Sequence, residues 1–229
     1  TLADLASHQI ILDKLSGLNT LFPVLSEEDE VKELIDTSIF WLVDPLDGTK
    51  EFINKNGEFT VNIALIENGC PILGVVSAPA IDESFYGIPG YGSFKVKHGK
   101  EVRIATSLQD KNSCRITLSK SHQSHLDEDF IREIKNCFNE VEIVPAGSSL
   151  KLCRVADGSA DIYCRMGSTF QWDISAGQAV AEGSGACVKN LSGERLGYEF
   201  NPEIRNPYFY CAGDPNYDWQ KIIKTLDLD

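Results

Sequence analysis

No stretch of this chain is apolar for long enough to cross a bilayer, and no secretory signal pattern is present. Positive charge is also short. Against 34 Asp and Glu there are 21 Lys and Arg, a net charge of −13. That deficit excludes nonspecific binding to a nucleic-acid polymer, which needs a basic face. It also excludes a bare anion site, because a phosphorylated ligand is repelled unless metal ions or local Lys and Arg reverse the field. The seven cysteines are odd in number and form no CxxC, and the four histidines form no HExxH. These absences favour reduced, buried thiols in a cytoplasmic protein over a zinc site or a catalytic thiol. Internal repeats and low-complexity segments are missing too.

What remains is an ordinary globular composition, 42% hydrophobic over 229 residues. It suffices for one large domain or two intimate subdomains. Patterning predicts a helix over 2–16, then strands at 22–25 and 40–43. Alternation over 59–67 and a second run at 72–77, joined by Asn68-Gly69, predict a hairpin. Strands follow at 84–86 and 93–96. The second half alternates: strand 116–118, helix 128–137, strand 141–144, helix 148–156, strand 161–164, helix 172–182, strand 208–211 and helix 217–226. The expected organisation is α+β. A metal-binding unit over residues 1–118 adjoins an αβ unit over 119–229 that recognises substrate, and the two form one catalytic body.

The run WLVDPLDGTKEF, Trp41 to Phe52, carries the most chemistry. A hydrophobic strand ends in two carboxylates, Asp44 and Asp47. Pro45 stiffens the turn between them, and Gly48 permits close backbone approach. Two carboxylates three residues apart at a strand end can share hard cations. Thr49 adds a hydroxyl and a backbone N–H, so the turn is suited to hold Mg²⁺ beside a phosphate.

Three further acidic positions sit at element ends: Asp4, Glu27-Glu28-Asp29 and Asp173. Each also has a plain reading. Acids in a first helical turn are favoured by the helix dipole, and Glu27 to Asp29 can be a solvated charge run. In the second half, Ser119–His122, Gly147–Lys151 and Arg165 are candidates for binding an anionic substrate. A solvated helix charge, a loop histidine and a structural ion pair are the alternatives for Lys151, His122 and Arg165.

Ser26-Glu27-Glu28, Asp44-Pro45-Leu46-Asp47-Gly48-Thr49 and Trp172-Asp173-x-x-Ala176-Gly177, in that order, resemble the inositol monophosphatase superfamily. These are magnesium-dependent, lithium-sensitive phosphomonoesterases. Within it, Lys50-Glu51-Phe52 and Gly57–Asn62 are most similar to the bacterial 3'(2'),5'-bisphosphate nucleotidases. The resemblance implies an αβαβα sandwich, with a helix and a Lys- and Asp-bearing segment ahead of Thr1. It implies that Glu27, Asp44, the Leu46 carbonyl, Asp47 and Asp173 hold two or three Mg²⁺, with Mn²⁺ a possible substitute and Glu28 in a supporting place. Asp4 and Thr49 would orient and deprotonate the attacking water. Gly48 and Thr49 N–H groups would receive a phosphate oxygen. His122, Ser148, Lys151 and Arg165 would hold the rest of the substrate.

The implied reaction removes the 3'-phosphate of adenosine 3',5'-bisphosphate, with 3'-phosphoadenylyl sulfate as a second substrate, a housekeeping role in sulfur metabolism. An inositol phosphatase or other sugar phosphatase is the nearest rival, and an inactive nucleotide- or metal-binding module the more distant one. The expected state is a monomer or homodimer in the cytoplasm, at most peripheral to the inner membrane.

Overall fold

The computed structural model describes residues 1–18, 21–29, 36–119, 124–201 and 203–226. Seven strands form the first sheet in chain order: β1 (Val24–Ser26), β2 (Ile39–Asp47), β3 (Thr60–Glu67), β4 (Cys70–Ala78), β5 (Glu83–Ile88), β6 (Gly92–Lys97) and β7 (Lys100–Ile104). Neighbours pair antiparallel except β1 and β2, which run parallel. The Asn68-Gly69 hairpin turn has two left-handed residues, φ 50° and 76°, the geometry that follows strand twist. His98-Gly99 repeats it, φ 50° and 69°, and adds β7, which patterning misses.

A second sheet of five strands has the order β11-β12-β10-β8-β9. Its strands are β8 (Ser113–Leu118), β9 (Glu140–Pro145), β10 (Ile162–Arg165), β11 (Cys187–Asn190) and β12 (Phe209–Ala212). Among the described residues, six α-helices complete the fold: α1 (Leu2–Ser16), α2 (Thr49–Ile53), α3 (His125–Cys137), α4 (Leu150–Ala156), α5 (Gln171–Ser184) and α6 (Gln220–Ile223).

Strand alternation sets the layers. In β2, Trp41 and Val43 face Ile11 and Leu15 of α1, while Phe40 and Leu42 join the central core. That core holds Leu150 and Leu152 of α4, Ala176 and Val180 of α5, and Tyr163, Phe209 and Cys211 from one face of the second sheet. The other face, with Ile116, Ile162 and Tyr210, covers Phe130 and Ile134 of α3 and Ile222 of α6. The order is therefore α1, sheet, α4–α5, sheet, α3–α6, the five-layer αβαβα sandwich expected. Helix α5 lies so close to the first sheet that a Cβ on Gly74 would stand 2.2 Å from Ala176 O.

Several boundaries differ from the sequence reading. β1 starts at Val24 rather than 22, and β11 and α2 were not foreseen. Helix α3 opens at His125 rather than 128. Ser124 caps it: Asp127 N donates to Ser124 Oγ at 3.2 Å and Ser124 N to Asp127 Oδ2 at 2.8 Å. β8 pairs in the second sheet, so the change of sheet falls between Ile104 and Ser113, ahead of the 118/119 division. All seven cysteines are free; Cys114, Cys153, Cys164 and Cys211 are buried and Cys137 is exposed. Among the described residues, no helix is long and apolar enough to cross a membrane.

Candidate active site

Parallel pairing sets Ser26 beside Val43, which brings the next residues, Glu27 and Asp44, side by side. Glu27 N donates to Val43 O at 3.1 Å. The apolar run from Phe40 to Val43 carries β2 into the interior, and Asp44 follows it there, 1% exposed. β2 does not end at Asp44. Its pairing with β3 resumes at Asp47 opposite Thr60 after a register shift. The motif is thus a bulge within a strand rather than a turn beyond it, placed where Pro45 has no N–H for the ladder. Leu46 N donates to Asp44 Oδ1 at 3.0 Å and fixes the bulge from inside.

Asp47 is the best-anchored of these acids. Its Oδ2 accepts from Ser149 N at 2.8 Å and Thr60 Oγ1 at 3.3 Å, and lies 3.0 Å from Ser149 Oγ. All three reach the same oxygen, which leaves Oδ1 for a ligand. Ser149 Oγ also stands 2.6 Å from Asp173 O and accepts from Asn62 Nδ2 at 2.9 Å, so one hydroxyl ties β2, β3 and α5 together. Beside it, Ser148 has a left-handed backbone, φ 44°, and donates from Oγ to Asp47 O at 3.1 Å. Gly48 is also left-handed, φ 88°, and a Cβ there would lie 2.2 Å from Ser148 Oγ. No other residue fits that contact without displacing the serine.

Asp173 stands in the first turn of α5, where Phe170 N donates to its Oδ2 at 2.8 Å. Burial, then the charges of Asp47 and Glu27, push its carboxyl up to about 8. Burial and the charges of Asp47, Glu27 and Asp173 push Asp44 well above the ordinary carboxylate range. Burial raises Asp47 as well, against the opposing pull of Lys151 and Ser149. The charges of Asp47, Glu27 and Asp173 all bear on Asp44, so acids from separate parts of the sequence lie near one another.

Helix α1 closes another side. Asp4 is 3% exposed, and Thr49 Oγ1 approaches its Oδ1 at 3.5 Å. The Thr1 hydroxyl holds its other oxygen. The helix is pinned to both acidic turns: Ser7 Oγ donates to Pro45 O at 2.9 Å, and His8 Nδ1 lies 2.9 Å from Ser26 Oγ.

Asp47, Gly48 and Asp173 open onto a cleft of about 300 Å³ whose lining also includes Ser148, Lys151, Tyr163 and Arg165. Lys151 is 8% exposed, and burial lowers its ammonium to about 8 against the attraction of Asp47. The sequence reading did not single out Tyr163, whose ring lies 5.6 Å from Lys151 Nζ. It also gave no role to Thr60, Asn62 or Ser149 as anchors. Their signal was register, since Asp44 pairs with Asn62 and Asp47 with Thr60. His122 lies outside the described residues.

The donor set suits a hard divalent cation. It is all oxygen, with no Cys or His, and it concentrates buried negative charge that Lys151 and Arg165 only partly balance. Among the described residues, no three His, Cys, Asp or Glu side chains converge closely enough to form a ready chelate. The carboxylates stand near one another as mutual perturbers rather than as a closed cage.

Carboxylates and cations that line one cleft, most of them largely withdrawn from solvent, define an acid-rich site for an anionic ligand in a five-layer sandwich. The inositol monophosphatase family model matches residues 1–223, and the chain belongs to that family. It is 44% identical over 213 residues to the 3'(2'),5'-bisphosphate nucleotidase CysQ of Salmonella typhimurium strain LT2, a match covering 91% of this chain and 83% of that protein. The CysQ of Escherichia coli K12 is 43% identical over the same shares of the two chains. A crystal structure of CysQ from Bacteroides thetaiotaomicron is similar at a TM-score of 0.83 and 35% identity, over 92% of this chain and 83% of that one.

Proposed function

We propose that the protein is a metal-dependent 3'(2'),5'-bisphosphate nucleotidase that hydrolyses the 3'-phosphate of adenosine 3',5'-bisphosphate to AMP and phosphate. The observation that carries this reading is the cleft itself, which Asp47 and Asp173 line together with Lys151 and Arg165. The identity to nucleotidases over most of the chain supports the choice of substrate.

Glu27, Asp44, the Leu46 carbonyl, Asp47 and Asp173 are the residues that would hold two or three Mg²⁺, or Mn²⁺ in substitution. Bound divalent ions neutralise a phosphate dianion, lower the pKa of water and stabilise a leaving alkoxide. The chain's own residues do the rest. The Thr49 hydroxyl donates towards Asp4 Oδ1, so a proton taken by Thr49 from the attacking water has a carboxylate to pass to. Backbone N–H groups of Gly48 and Thr49 bind a phosphate oxygen. Ser148, Lys151, Arg165 and His122 hold the remainder of the nucleotide. The phosphosulfate analogue is the expected second substrate, and the location is cytoplasmic.

A substrate panel at fixed Mg²⁺, scored by phosphate release with and without lithium, tests the reading. Adenosine 3',5'-bisphosphate should be turned over more efficiently than inositol monophosphate, with lithium inhibiting. A preference for the inositol ester by about tenfold, about 1.4 kcal/mol in transition-state binding, rejects it.

A further inference from the structure

Seven arginines occur in the chain. Four of them, Arg115, Arg132, Arg154 and Arg195, are paired with carboxylates. Among the described residues, Arg103, Arg165 and Arg205 have no carboxylate within ion-pair distance. Arg103 is bonded to the Tyr91 carbonyl at a remote turn. The other two are at the cleft. Arg165 lines it, and Arg205 holds Ser168, a residue of its lip, with Nη1 donating to Ser168 Oγ at 2.6 Å. In a chain of net charge −13, an uncompensated guanidinium in a fixed place is a feature that solvent exposure alone does not explain.

Arg205 is exposed yet not loose. Its guanidinium carbon lies 4.2 Å from the centre of the Phe170 ring, and Phe170 in turn stacks on Trp172 at 4.8 Å and 15°. Phe170 and Arg205 also form a β-bridge. The next residue, Asn206, braces the same loop: its N donates to Thr169 O at 2.9 Å, and its Nδ2 donates to Thr169 Oγ1 at 3.1 Å. Stacking fixes the guanidinium plane without neutralising its charge, so little rotamer freedom is left to lose when an anion arrives.

We infer that Arg205 is a specificity-determining residue at the mouth of the cleft, binding the anionic group of the substrate that is not hydrolysed. This rests on the bisphosphate nucleotidase reading. Lys151 is buried beside Asp47, whereas Arg205 is exposed and bonded to Ser168, an exposed residue of the cleft lining, so a second phosphate that reaches outward from the acids meets donors in a planar fork there.

Steady-state kinetics of the full chain with Mg²⁺ test this, comparing adenosine 3',5'-bisphosphate with adenosine 3'-monophosphate. Arg205→Ala should raise KM for the bisphosphate about tenfold, the loss of one charge-assisted contact, with kcat within about twofold. KM for the monophosphate should stay within about twofold, and Arg205→Lys should recover part of the loss. If Arg205→Ala lowers kcat or raises KM equally for both substrates, the residue is only a brace of the Ser168–Phe170 loop and the inference fails. An unchanged bisphosphate KM overturns it as well. If the parent protein does not turn over the bisphosphate at all, the nucleotidase reading itself has failed, and that is seen before any variant is compared.

Discussion

At the scale of single residues, the site is an exercise in holding acids where acids are disfavoured. Asp47 accepts from Ser149 N and Thr60 Oγ1 on one oxygen, while burial works against its charge. Asp47→Asn separates charge from shape. An amide fills the same volume, and its Oδ1 can still accept from Ser149 N. The variant should therefore fold as well as the parent, since it removes one of several mutually repelling carboxylates. It should nonetheless lose turnover, because the neutral amide no longer offers a charged ligand to a hard cation. Circular dichroism should show an intact fold, and phosphate release with Mg²⁺ should fall to background. Near-parent activity in a folded Asp47→Asn protein removes the assigned mechanism. Legibility at this scale followed chemistry. Asp44 and Asp47 stood out in the sequence because two carboxylates after an apolar run have few packing purposes, whereas Asp173 also fitted the helix dipole and was singled out through the family resemblance. Thr60, Asn62 and Tyr163 were not, because a hydroxyl, an amide or a ring inside a strand looks like any other strand residue until register says what lies opposite.

Elements show the same division. The long alternating runs of β3 and β4 and the helices α1 and α5 were legible because period and length agree. β7, β11 and the five-residue α2 were not, since each is short and takes its place from neighbours rather than from its own pattern. Helix α4 is short too, but a buried ion network holds it. Glu83 of β5 accepts from Arg154 Nη2 of α4 at 2.8 Å and Lys97 Nζ at 2.7 Å, and Lys95 bridges to Asp157 at 2.9 Å just past the helix end. Arg154 lies one turn beyond Lys151, so this network fixes the helix that carries the cleft lysine. Burial alone would raise the Glu83 carboxyl, but bonds from Lys97 and Arg154 outweigh it and draw it from 4.5 down to about 2. A carboxyl lowered by folding contributes stability that is full above 4.5 and disappears as pH falls towards 2. Glu83→Gln should destabilise the protein at neutral pH by about 2 kcal/mol, because it weakens the charge-assisted bonds from Arg154 and Lys97. The gap in melting temperature between parent and variant should narrow as pH drops through that window. A gap that is constant from neutral pH to the acid limit shows that the network does not carry this charge.

At the scale of the molecule, two sheets with α4 and α5 between them bring together acids from four separate parts of the chain: Asp4 on α1, Glu27 after β1, Asp44 and Asp47 on β2, and Asp173 on α5. The chain is also acidic as a whole, at −13, so its surface does nothing to relieve the cluster. Burial and mutual repulsion of Asp44, Asp47 and Asp173 oppose their ionisation in the folded state, whereas the unfolded chain ionises them freely. A divalent cation that enters the folded cluster and has no comparable site in the unfolded chain must therefore stabilise the fold by mass action. At a free concentration of one hundred times its Kd the gain is about 2.7 kcal/mol. Thermal melts should accordingly shift upward with Mg²⁺ or Mn²⁺, return on addition of EDTA, and shift much less for Asp47→Asn. Sodium chloride at matched ionic strength supplies the control, because general screening of a net charge of −13 acts on both salts alike. Equal shifts with sodium and magnesium in the parent protein mean that no specific divalent site forms among these carboxylates, and a metal-dependent reaction at this cleft is then ruled out.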